Sequence, residues 1–110
     1  MIKTLYLMKR KPSLSRSDFR TYYEDIHRKM GEKVLGVLAA RYVRHYLEPV
    51  RVPDGTPSYD VATEIWFTDR ERFERAMAEL GQEEFITDFM RLFDPDGAAQ
   101  YLFEDSESEV

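Results

Sequence analysis

The chain has no cysteine, one tryptophan and two histidines among 110 residues. Without thiols, disulfides, thiolate nucleophiles and cysteine-held zinc or iron–sulfur sites are excluded. No apolar run approaches the roughly 20 residues that cross a bilayer, and Met1-Ile2-Lys3-Thr4 does not open a secretory leader. A cytoplasmic location is the expectation. Glycine-rich phosphate loops, dinucleotide fingerprints, HExxH and a serine in a nucleophile elbow are all missing. With the two histidines in separate elements, no spacing supports a metal site. A dominant charge sign is lacking too. The net charge of −5 comes largely from Glu104, Asp105, Glu107 and Glu109, and the remaining 17 acids nearly balance 16 bases. That balance offers no electrostatic footprint for nucleic acid or a membrane surface.

The chain does contain enough apolar residues, 43% of the total, to build one core, and a second core would leave each half too small. Ile2 to Lys9 carries apolar residues in both alternating sets, as in a strand covered on both faces. Ser15 caps a helix whose apolar positions, Phe19, Tyr22, Tyr23, Ile26, Met30, Val34 and Val37, recur at steps of three and four, with Gly36 near its end. Arg41 to Leu47 reads as a second strand, followed by a proline-rich loop from Glu48 to Pro57. In a third strand from Ser58 to Phe67, Tyr59, Val61, Thr63, Ile65 and Phe67 belong on a helix-covered face. Asp60, Ala62, Glu64 and Trp66 fall on the opposite one. Thr68 with Glu71 opens a helix ending at Gly81, Glu83 to Phe93 forms another, and Ala98 to Glu104 closes the domain as a strand. The acidic residues 105–110 are expected to be disordered.

The order strand, helix, strand, strand, helix, strand defines an α+β, ferredoxin-like βαββαβ sheet with helices on one face. A single helix layer leaves the face of Trp66 open, and a second copy is the expected cover. Asp60 and Glu64 stand too far apart along the strand to share a proton. Glu64 is expected in a structural ion pair with Arg41 or Arg44, whereas Asp60 stays open between buried base and ion pair. Histidine titrates near neutral pH, so both histidines are candidates for acid–base work. His27 falls at the edge of the first helix's apolar stripe, one turn beyond Tyr23, where an imidazole beside a phenol suits proton transfer. His45 alternates with Val43 and Leu47 in a strand and reads equally as core, interface or site.

Taken together, Lys9-Arg10-Lys11-Pro12, Leu14-Ser15-Arg16, Phe19-Arg20-Thr21-Tyr22-Tyr23 with His27, Tyr59-Asp60-Val61-Ala62-Thr63-Glu64-Ile65-Trp66-Phe67 and Phe93-Asp94-Pro95 resemble the EthD domain family over residues 1–104. The resemblance implies a dimeric α+β barrel with a pocket between each sheet and its helices. The wider superfamily includes cofactor-free monooxygenases, aromatic polyketide cyclases, dehydratases and isomerases. It implies roles for His27, Tyr23, Asp60 and Trp66, which match the family's recurring residues. One departure stands out: Arg28-Lys29-Met30 replaces the small residue and proline that usually follow the histidine.

The expected activity is therefore cofactor-independent acid–base chemistry, or oxidation, on a small apolar, aromatic or carbonyl-bearing molecule. His27, Tyr23 and Asp60 are the candidate catalytic residues, and Tyr6, Trp66, Met30 and His45 the candidate substrate-binding ones. The alternative is a dimeric accessory protein that holds a hydrophobic metabolite for a partner enzyme.

Overall fold

A computed structural model describes residues 1–110. Its elements are β1 (Ile2–Met8), α1 (Arg16–Tyr22), a π-helical turn (Tyr23–His27), α2 (Arg28–Leu35), β2 (Ala39–Tyr46), β3 (Val61–Phe67), α3 (Arg70–Leu80), α4 (Glu83–Leu92), a 3₁₀ turn (Pro95–Gly97) and β4 (Ala99–Leu102). The four strands are antiparallel in the order β2-β3-β1-β4, the ferredoxin-like arrangement. No helix is long and apolar enough to cross a membrane.

Alternation in β3 divides the sheet as the side-chain pattern requires: Val61, Thr63, Ile65 and Phe67 are buried under the helices. Against them pack Phe19 and Tyr23 on one side, and Leu35, Leu38 and Ala76 on the other. Truncating a fully enclosed ring such as Phe19 would cost about 3–5 kcal/mol. Glu64 and Trp66 occupy the uncovered face with Lys3 and Arg41, whose charged ends lie 4.3 and 4.9 Å from the Trp66 ring centre.

The first helical stretch departs most from its expected pattern. Its buried positions are Phe19, Tyr23, His27, Gly31 and Leu35, a strict four-residue spacing, whereas Ile26 is 45% and Val37 85% exposed. In an α-helix a four-residue step drifts about 40° round the axis, so such a row would wind off the core. The π turn, with more residues per turn, takes up that drift in the middle of the row. His27 is consequently central to the buried face and not at its edge. The helix does run on past Arg28-Lys29-Met30, ending at Gly36.

Other differences are local. Asp69, and not Thr68, caps α3, its carboxylate accepting from Arg72 N–H at 2.9 Å. β3 begins at Val61, so Asp60 is not part of the open-face set. Its carboxylate turns toward Arg10, accepting from the backbone N–H at 2.8 Å and from Nε at 3.2 Å, with Arg16 Nε 3.8 Å away. Glu64 pairs with neither expected arginine. Arg44 lies on the helix-covered face, where it binds Glu24, and Arg41 is opposite Trp66; Glu64 instead meets His45, diagonal to it across β2 and β3. After β4, Phe103 N–H still donates to Lys3 C=O at 3.1 Å, and Asp105 pairs with Lys3 at 2.7 Å.

Candidate active site

Between the helix-covered sheet face and helices α2, α3 and α4 lies a cavity of about 290 Å³, at the small end of ligand-binding sites. Of its 17 lining residues, 12 are hydrophobic, three of them tyrosines whose hydroxyls join His27, Thr63 and Gln100 as the few polar groups that define its chemistry. Three are residues that the sequence singles out: His27, Tyr23 and Tyr6.

His27 is 3% exposed, and its Nδ1 lies 2.8 Å from Oδ2 of Asp88, which is 4% exposed. Tyr22 O–H donates to the other carboxylate oxygen of Asp88 at 2.5 Å. With both oxygens accepting, Asp88 holds the imidazole as the Nδ1–H tautomer. Nε2 has no protein partner and is not fully enclosed, and the free surface beside this nearly buried side chain is the cavity that His27 lines. Phe85, Phe93 and Tyr23 surround the ring at centroid distances of 4.8, 5.5 and 5.2 Å. Burial among these rings lowers the His27 pKa below its ordinary value, with Asp88 pulling partly in the opposite direction. At neutral pH the group is an uncharged base aimed into an apolar cavity.

The π turn is pinned from two sides. Glu24 receives both Arg44 Nε and an Arg44 terminal nitrogen at 3.0 Å, and Tyr46 O–H at 2.5 Å. Arg44 holds the Glu24 carboxyl below the usual range. On the far side, His27 is tied to α4 through Asp88. Tyr23, inside the same turn, shares a 3.0 Å hydrogen bond with Thr63, and burial raises its pKa. Tyr6 is held protonated, pushed up to about 12 by burial. Gly31 makes room for Tyr42: a Cβ there would stand 2.9 Å from the Tyr42 hydroxyl.

The other sequence candidates lie elsewhere. Asp60 is outside the cavity lining, held by Arg10 and Arg16. Met30 faces a shallow groove on the outer side of the helix, together with Tyr22 and Asp88. Trp66 and His45 are on the open sheet face, joined through Glu64: His45 Nε2 is 2.5 Å from one oxygen and Trp66 Nε1–H donates to the other at 3.1 Å. The loop from Glu48 to Pro57 contributes nothing to the cavity lining. Sequence reasoning missed Asp88, which anchors His27 from outside the cavity lining, and the polar lining residues Thr63 and Gln100. For Asp88 a signal existed, since Phe85, Asp88, Phe89 and Leu92 keep helical spacing and make it a lone acid in an apolar stripe.

The sheet and its helices make this an α+β protein of ferredoxin-like fold, with a buried histidine–carboxylate pair beside a mostly apolar cavity. The chain belongs to the EthD domain family, whose profile matches residues 11–96. No curated protein matches the sequence. Among solved structures, an EthD-like protein from Ralstonia eutropha is similar at 22% identity and TM-score 0.63, over 93% of this chain and 87% of that one. SnoaB, a cofactor-independent oxygenase from Streptomyces nogalater, is similar at 13% identity and TM-score 0.57, over 97% and 94%. A dimeric protein of ferredoxin-like fold from Bacteroides fragilis is similar at 10% identity and TM-score 0.56, over 94% and 95%.

Proposed function

We propose that the protein is a small-molecule enzyme in which His27 removes a proton from carbon or oxygen next to a carbonyl of a one- or two-ring apolar substrate. The observation that carries this reading is His27 itself, with Nδ1 anchored by Asp88 and Nε2 open to an apolar cavity. As Nε2 takes the proton, the imidazolium forms between the Asp88 carboxylate and the substrate anion, both of which stabilise it in a low-dielectric setting. The proton then returns to another substrate atom in an isomerisation or cyclisation, or leaves with a hydroxyl in a dehydration. In an oxygenation the substrate anion would instead deliver an electron to molecular oxygen, and the likeness to SnoaB supports that branch at the level of fold. Tyr6 polarises the oxygen on which negative charge develops, and Tyr23 fixes the geometry beside the histidine. Asp60, tied up by two arginines, serves the junction of β1 and α1 in this reading and takes no part in the chemistry.

The test is deuterium exchange into 2-indanone, an enolisable two-ring ketone, followed by proton NMR in D₂O. Wild-type protein should accelerate exchange above the buffer rate, and His27→Gln should lose about 10²–10³-fold of that acceleration while still binding the ketone. Exchange unchanged in His27→Gln overturns the assignment. Binding without exchange in the wild type would favour the accessory-protein reading, which uses the same cavity.

The open face supports a second proposal, that two copies pair sheet against sheet. Leu5, Leu7, Val43 and Trp66 lie there with no helix above them, and the Bacteroides fragilis neighbour is described as dimeric. Light scattering at micromolar concentration should give twice the chain mass, and Trp66→Glu should give the monomer. A monomeric wild type refutes the pairing.

A further inference from the structure

Strand register places one row of residues straight across the helix-covered face: Arg44 opposite Thr63, Thr63 opposite Tyr6, and Tyr6 opposite Gln100. Three of them, Thr63, Tyr6 and Gln100, line the cavity, so a polar seam crosses a floor that is otherwise apolar. The two ends of this seam differ in the protein groups their donors meet. Toward β2, Thr63 is matched with the Tyr23 hydroxyl at 3.0 Å and Arg44 with the Glu24 carboxylate. Toward β4, Tyr6 O–H and Gln100 Nε2–H both donate to the same atom, the thioether sulfur of Met77, at 3.3 and 3.4 Å. A thioether is a weak acceptor carried on a flexible side chain. Two donors of full strength therefore converge on a partner that an oxygen atom would improve upon.

We infer that Tyr6 and Gln100 form an oxygen-binding subsite at the β4 end of the cavity, which takes the carbonyl or enolate oxygen of an aromatic ketone in place of Met77 sulfur. The inference rests on reading the cavity as a small-molecule site, and it adds the substrate class and a specificity-determining residue, Gln100. Geometry explains why both donors are needed. They come from neighbouring strands at directly opposed positions, so their hydrogen-bonding groups approach one point from two directions, as two lone pairs of a carbonyl oxygen demand. Gln100 is exposed and Tyr6 half-buried, which sets the oxygen at the rim and leaves the hydrocarbon body of the ligand to the aromatic interior.

The experiment compares calorimetric binding of 2-indanone with that of indane, the same skeleton without the oxygen. Wild-type protein should favour the ketone. Tyr6→Phe and Gln100→Leu should each weaken ketone binding about three- to tenfold, the range for one neutral hydrogen bond, and leave indane binding within twofold. Met77→Leu removes the resident acceptor and should strengthen ketone binding. Equal affinity of the wild type for the two ligands, binding of neither up to the solubility limit, or parallel losses for both ligands in the variants overturns the subsite. Failure of the catalytic proposal is distinguishable, because His27→Gln with undiminished exchange would refute the base while the ketone preference stood.

Discussion

Two histidine–carboxylate pairs sit on opposite faces of one sheet. His27 and Asp88 are joined at 2.8 Å, both almost wholly enclosed, at the wall of a cavity. His45 and Glu64 are joined at 2.5 Å, but the His45 side chain is 44% exposed and lies outside the lining of that cavity. In water, an imidazole beside a carboxylate gains little from the pairing, because solvent screens the attraction and competes for both groups. Enclosed by Phe85 and Phe93, the same pair fixes a tautomer and keeps the second nitrogen for a ligand. The chemistry of a histidine is thus set by the layer that covers it.

The widest separation between the pairs is expected in turnover. Asp88→Asn should reduce 2-indanone exchange by about 10²-fold, since the imidazole loses the charge that stabilises its protonated form and the acceptor that fixes its tautomer. Glu64→Gln should leave exchange within about twofold. Stability should separate them next. Asp88→Ala leaves the Nδ1–H of His27 and the Tyr22 hydroxyl without partners, at a cost of about 3 kcal/mol. That is the lower end for breaking a buried pair, because His27 can stay neutral. Glu64→Ala should cost about 1 kcal/mol or less, and urea melts of the two variants check the difference.

The pH dependence sharpens the same contrast. Burial lowers the folded pKa of His27 below its unfolded value of about 6.5, so the fold binds fewer protons than the unfolded chain as pH falls. Its contribution to stability is complete above about pH 6.5 and is lost as pH drops through the depressed folded value. Exchange activity should follow the neutral imidazole, rising along an acid limb and levelling off above it. Because Asp88 raises the His27 pKa against the effect of burial, Asp88→Asn should shift that limb to lower pH. Glu64→Gln should not move it. A limb in the same place for Asp88→Asn and wild type would show that the titrating base is some other group.

Much of this arrangement is legible in the sequence. Alternation in Val61 to Phe67 assigns two faces, Ser15 and Gly36 bracket the first helical stretch, and the element order leads to the sheet. The π turn was not readable. A helical wheel presumes 3.6 residues per turn, and the row Phe19, Tyr23, His27, Gly31 and Leu35 includes a histidine and a glycine that carry no hydrophobic signal. The wheel therefore favoured Ile26 and Val37, which are exposed. Asp88 is harder to read because the apolar Ile86 and Met90 beside it in α4 are both 45% exposed, so hydrophobicity alone does not mark the face that packs. Gln100 depends on the register of β1 with β4, and local sequence cannot supply pairing between strands 90 residues apart.

The smallest expected effect concerns His45, where sequence left core, interface and site equally open. His45→Gln keeps a hydrogen-bonding group near Glu64 and removes only the ring, so exchange of 2-indanone should stay within about twofold of wild type. If copies pair through the open face, the same substitution should act there, weakening self-association measured by sedimentation without touching the cavity. Loss of exchange in His45→Gln at protein concentrations where the dimer persists would place the second histidine in the chemistry. It would also join the two faces, since His45 could then act only on a cavity completed by the partner copy.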